Sequence, residues 1–301
     1  MIQTVDLFTG WTLFGGLVLG LGAITARWFI LPRARRDAPE IQDGTWALGY
    51  ARRRRAAKVG AVGAALTAVG MLSFFGRQLR DFRDPFVPWA EDAGLLLSTS
   101  WGTTWKVGLA GTVVLLIAMV LARRGSLIGW SIASVAALAL AAFPAFTGHA
   151  SGVEDGRTIA LIADWLHVVA AGAWIGGLAT VLYMSRLGGA DEGGLADLVP
   201  PFSSVAIAAV AVLVVSGGYA SWLHVGGLQG LVSTGYGRLL LGKLALVGVV
   251  LAIGARNNRV LTSRLDTEAG SVAMRRSATV ELVVAQLVLL VTAVLVRTSP
   301  M

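Results

Sequence analysis

Residues 159–183 read IALIADWLHVVAAGAWIGGLATVLY, and the length of this block decides the fold. As a helix rising 1.5 Å per residue it extends about 37 Å, enough to cross roughly 30 Å of hydrocarbon. Inside a bilayer every backbone N–H and C=O must be satisfied within the segment, so the block is expected to be helical. Apart from the closing Tyr183, its ionisable side chains are Asp164 and His167. Both are costly in lipid and therefore carry information.

Seven further blocks of similar character surround it. The expected spans lie near 11–31, 57–76, 105–122, 127–147, 159–183, 200–222, 238–255 and 279–297, as one transmembrane domain over 1–301. Pro, Gly and charge interrupt them, as in LPRARRDAPE, RDFRDPFVPWAED and GGADEGG. Composition agrees: 55% of the 301 residues are hydrophobic and 14% charged, with a mean hydropathy of +0.72. A soluble domain carries nearly twice that charge. The fold class is thus all-α, a polytopic membrane helix bundle of about eight transmembrane helices. MIQTVDLFTG has no Lys or Arg, so a cleaved leader is not expected and the first block reads as a retained span.

Basic residues divide unevenly between the two faces. Arg27, Arg33, Arg35, Arg36, Arg52 to Arg55, Lys58, Arg123, Arg124, Arg186, Arg256, Arg259, Arg264, Arg275 and Arg276 fall on one face, 17 of the 25. The richer face is expected to be cytoplasmic, with both termini periplasmic. This accounts for the net charge of +8 and the pI near 10.7 as topology, and no nucleic-acid partner is expected.

In this topology all three histidines map to the outward half. His149 follows the fourth span, His224 follows the sixth, and His167 lies roughly 13 Å below the outer end of the fifth. Asp164, three residues before His167, shares its helix face. A carboxylate beside an imidazole fixes the tautomer of a ligating histidine or supplies an oxygen ligand itself. Imidazole and carboxylate together suit copper, zinc, iron or nickel. Met71, near the outer end of the second span, is a further candidate for a soft Cu(I) site, although a methionine in an apolar helix ordinarily packs. Histidines that only hydrogen-bond a neighbouring helix are the plain alternative.

Other signals have structural readings. Trp89, Trp101, Trp105, Trp165 and Trp222 fit an interfacial belt. GLVLG at 16–20 and GAWIG at 172–176 fit close helix packing. Glu281 is expected to pair with a basic residue such as Arg27 or to serve ion passage, and Lys243 to snorkel. Cysteine is absent, which excludes disulfides, thiolate sites and thiol catalysis. A phosphate loop, H-E-x-x-H and G-x-S-x-G are missing too, so ATP-driven pumping and the commoner hydrolyses lack their parts and no enzyme activity is expected.

TGHA closing one span and DWLHVVAAGAWIGGL in the next resemble the CopD family of bacterial copper-resistance and copper-import membrane proteins. RWFILPR, SGGYASW, TGYGRLLLGKLAL and RRSATVELVVAQLVLLVTAVL agree in order across nearly the whole chain. The resemblance implies a bacterial inner-membrane protein that takes copper from the periplasmic side, with a separate periplasmic copper-binding partner of the CopC type. Its docking surface would be the outward loops, of which residues 77–104 form the longest. His149 matches the histidine of the Gly-His-Ala element, and Asp164 and His167 match the Asp-x-x-His element. His224 matches no family motif and rests on topology alone. The open alternatives are a b-type haem electron carrier, a copper-delivery assembly factor without transport, and a structural membrane protein.

Overall fold

The computed structural model describes residues 4–36, 44–148, 152, 155–187, 194–225 and 228–298, and these are helical apart from short turns and connections, with no strand among them. Eight helices are long and apolar enough to cross a membrane: span 1 (Thr4–Arg33), span 2 (Ala47–Phe82), span 3 (Ser100–Arg123), span 4 (Leu127–Thr147), span 5 (Arg157–Met184), span 6 (Val199–Leu223), span 7 (Gly235–Arg264) and span 8 (Glu268–Leu295). Eight were expected. Their ends differ from the sequence reading most at span 2, whose helix runs from Gly44 to Phe82. Arg52 to Arg55 and Lys58, expected in a loop, lie inside it, because arginine is a good helix former and no Pro interrupts the run.

Polar contacts at the two ends confirm that the helices alternate in direction. At the Arg-rich end, Arg52 of span 2 pairs with Asp197 before span 6 at 3.2 Å. Arg55 of span 2 donates to the Tyr183 carbonyl of span 5, and Arg275 of span 8 to the Ser185 carbonyl, each at 2.9 Å. At the opposite end, Asp6 of span 1 meets Arg77 of span 2 at 3.6 Å and Arg297 beyond span 8 at 3.3 Å. Arg297 also reaches Asp81 at 3.5 Å.

Span 1 is central and packs on spans 2, 4, 5 and 8. Glycines let it approach closely. A methyl group at Gly63 of span 2 would lie 2.7 Å from the Gly16 carbonyl, and one at Gly172 of span 5 would lie 2.7 Å from Leu21 Cδ1. Gly22 and Gly176 meet backbone to backbone. The GLVLG and GAWIG segments therefore do the packing expected of them, and GAWIG takes one further turn: Gly172–Gly176 is π-helical. Asn257–Leu261 in span 7 forms another π turn. Span 7 is the least enclosed of the eight and leans mainly on span 8.

The stretch after span 2 is not a bare loop. It holds a helix, Trp89–Ser98, fixed by the buried Asp92, which accepts from Arg83 Nη1 at 2.9 Å and from the Asp84 N–H at 3.3 Å. Arg83 in turn covers the Trp89 ring at 4.3 Å.

Candidate functional site

Asp164 and His167 lie on the helical turn Arg157–Ala171 that opens span 5. Trp165 Nε1 donates to the Leu138 carbonyl of span 4 at 2.8 Å and sets the rotation of this helix. The face carrying Asp164 and His167 is half-buried. Among the described residues, no hydrogen bond joins the two side chains. Instead, His167 Nδ1 lies 3.0 Å from the Ser216 hydroxyl of span 6.

That contact, read with the other hydrogen bond of Ser216, favours one imidazole tautomer. The Ser216 hydroxyl donates its one proton back along its own helix to the Val212 carbonyl at 2.7 Å. Its oxygen can then only accept, so His167 donates from Nδ1–H. Nε2 is left with its lone pair and with no hydrogen-bond donor among the described residues. A neutral imidazole locked by its other nitrogen is the form that binds a metal ion. Gly217 leaves room for the ring: a methyl group there would stand 3.3 Å from Cε1.

Span 7 contributes what the sequence reading missed. Lys243 acts electrostatically on both Asp164 and His167, and Tyr236 feels the charge of Asp164. Lys243 is half-buried and, among the described residues, forms no ion pair within 4.0 Å. Its charge is felt by the Asp164–His167 pair from span 7, across a gap wider than an ion pair. A lysine inside an apolar block and a serine in SGGY were the available signals, but neither names its partner on another helix.

The remaining candidates are placed unevenly. His149 lies outside the described residues. The backbone of His224 ends the helix Val199–Val225, and its side chain is not among those described. Met71 is fully buried between spans 2 and 3. Its backbone carbonyl accepts from Trp105 Nε1 at 2.8 Å, and its methyl carbon would lie 2.9 Å from a methyl group added at Gly108. Its surroundings are packing, not the Asp164–His167 face. Among the described residues, no three His, Asp or Glu side chains gather closely enough to hold a metal ion.

A second polar group lies nearer the Arg-rich end. Glu281 of span 8 is 4% exposed. Its Oε1 accepts from Trp174 Nε1 at 3.3 Å and its Oε2 from Asn257 Nδ2 at 2.8 Å. Ser277 donates to Asn257 Oδ1 at 2.5 Å. The expected partner Arg27 is not there: among the described residues no cationic nitrogen lies within 4.0 Å of Glu281, and Arg27 rests 4.5 Å over its neighbour Trp28.

Comparison with known proteins bears on residues 196–295, spans 6 to 8, which match the family described as copper resistance protein D, CopD. The chain is 33% identical over 166 residues to the copper transport protein CutJ of Bacillus subtilis, covering 53% of this chain and 30% of that protein. It is 30% identical over 187 residues to the copper resistance protein D of Pseudomonas syringae pv. tomato, covering 60% of this chain and 59% of the relative. Each match thus spans less than two thirds of the relative's own length. No solved structure matches the chain.

Proposed function

From the match of residues 196–295 to the CopD family we propose that this chain binds copper from the periplasmic side for import or delivery. His167 Nε2 is the primary ligand and Asp164 the second, with His149 and His224 completing the set from the neighbouring helix ends. The observation that supports this most directly is the 3.0 Å contact of His167 Nδ1 with Ser216, whose own proton goes to Val212; with Nδ1–H donating there, Nε2 keeps its lone pair. Nitrogen and carboxylate donors suit Cu(II); sulfur is absent from the group, and Met71 is committed to packing.

Copper is cargo in this reading, and Lys243 gives the site a reason to let it go. An ammonium acting on the same carboxylate and imidazole opposes a resident cation, so the ion is held without being trapped. The role is binding and handing over, without catalysis. The inner bacterial membrane is the compartment, and the Arg-rich face is cytoplasmic. A separate CopC-like copper-binding protein supplies the ion from the periplasm. Its landing surface includes the Trp89–Ser98 helix and the adjacent Phe86, which is 94% exposed.

The test is equilibrium copper binding by purified protein in lipid nanodiscs, with metal content and visible spectrum recorded. Near-stoichiometric copper that is lost in His167→Ala and weakened in Asp164→Ala and His149→Ala is the expected result. Copper binding that survives both His167→Ala and Asp164→Ala would sink the proposal. A Soret band on the wild type would replace it with the haem carrier.

A further inference from the structure

Glu281 is the least expected charged group in the molecule. It sits about 20 Å along span 8 from the Arg-rich start at Glu268, and it is enclosed by spans 5 and 7. A carboxylate in that position normally has a cation beside it. The charged groups on the elements packed around it face elsewhere. Arg27 of span 1 lies over Trp28, and Arg275 of span 8 donates to the Ser185 carbonyl. Arg256 of span 7 and Arg276 of span 8 line a groove between those two spans. Asp164 and His167 of span 5 are two to three turns further outward than Trp174.

The neutral partners of Glu281 have a property that a fixed ion pair lacks. As observed, Ser277 donates to Asn257 Oδ1 and Asn257 Nδ2 donates to the carboxylate. Every donor points toward the negative charge. If Glu281 takes a proton, its new O–H needs an acceptor. Rotating the Asn257 amide by half a turn supplies one: Oδ1 then accepts from Glu281, and Nδ2 donates to the Ser277 oxygen, which accepts as readily as it donates. Trp174 Nε1–H serves the other carboxyl oxygen in both states. The Glu281–Asn257–Ser277 contacts are therefore kept with Glu281 charged or neutral, the Ser277 proton turning to its own helix in the neutral state.

Space and access fit the same reading. Gly254 leaves the flank of the carboxylate open, since a methyl group there would stand 3.3 Å from Oε1. Trp174 and Asn257 both sit in π-helical turns, a distortion that concentrates at functional positions. Ser277 and Val280 border the groove between spans 7 and 8, about 750 Å³ in volume, which Arg256, Arg276 and Glu268 of the Arg-rich end also line.

We propose that Glu281 is a proton-binding site, loaded from the Arg-rich face through this groove, with the Asn257 amide as the switch between its charged and neutral forms. The step is a plain proton transfer: hydronium gives its proton to a carboxylate oxygen and leaves as water. That this proton is exchanged against copper movement is a consequence that rests on the copper reading above.

The experiment is pH-difference infrared spectroscopy of the wild type, Glu281→Gln and Asp164→Asn in lipid, followed by proton and copper flux in proteoliposomes. We expect a protonated-carboxyl C=O band in the wild type that shifts in D2O, persists in Asp164→Asn and disappears in Glu281→Gln. Asn257→Leu, which cannot switch, should move the pH at which the band appears. A band that survives Glu281→Gln, or none in the wild type, overturns the proposal. In the flux measurement, Glu281→Gln should keep wild-type copper binding and lose the copper-dependent change of internal pH. If the infrared band behaves as expected but the wild type binds no copper, the copper reading fails and the proton site stands.

Discussion

Replacing Ser216 with alanine removes one oxygen and tests the central geometry. In the wild type, that oxygen lies 3.0 Å from His167 Nδ1 and gives its own proton to Val212 at 2.7 Å, the arrangement in which it accepts from Nδ1–H. Without it, Nδ1 has no partner in span 6 and the imidazole is free to move its proton to Nε2, the nitrogen assigned to copper. Loss of such an outer partner costs a metal site about 10- to 100-fold in affinity, or ~1.4–2.7 kcal/mol. The fold should hardly notice: the hydroxyl is bonded to its own helix, so its removal leaves a change below about 1 kcal/mol. Copper affinity would be measured by competition with a chelator of known strength, in nanodiscs, alongside Ser216→Thr, which keeps the hydroxyl. The expected order is wild type and Ser216→Thr together, Ser216→Ala weaker, His167→Ala weakest. Unchanged affinity in Ser216→Ala, with His167→Ala still defective, would refute the tautomer assignment.

Three further outcomes follow from the same packing. Lys243→Met removes the ammonium that would compete with a metal ion in the proposed site; since no ion pair closer than 4.0 Å is formed among the described residues, the effect should stay below the ~4 kcal/mol of a contact pair and raise copper affinity about tenfold, read by the same competition. Met71→Leu should leave copper binding unchanged and cost less than about 1.5 kcal/mol in stability, as a volume-conserving change in a packed core. Gly176→Ala forces a methyl group into the Val18 carbonyl and the Gly22 backbone and should lower the thermal unfolding midpoint sharply, by ~3 kcal/mol or more of overpacking. Gly218→Ala, which meets nothing within 4 Å, should not.

What the sequence disclosed and what it withheld have physical causes. Span count is written in blocks of local hydrophobicity, so eight helices could be read directly. The Asp164–His167 face follows from helical spacing within a single element. Partners on other helices leave no local trace: Ser216 lies 49 residues from His167, and Lys243 looks like any snorkelling lysine until span 7 is placed beside span 5. Glu281 misled for a related reason. Charge alone predicts an arginine beside it, whereas the chain uses Asn257 and Trp174, neutral donors whose relevance appears only once two helices distort to present them.

Span 7 carries Lys243 for one polar group and Asn257 for the other, yet it is the helix most open to lipid. Spans 1, 2 and 5 are sutured through glycine backbones and resist shear, so lateral pressure and bilayer thickness act chiefly on span 7, through its tilt. In the copper reading proposed above, the surrounding lipid thereby becomes a reagent: a thicker or stiffer membrane would set how far Lys243 stands from Asp164, and with it the grip on the ion.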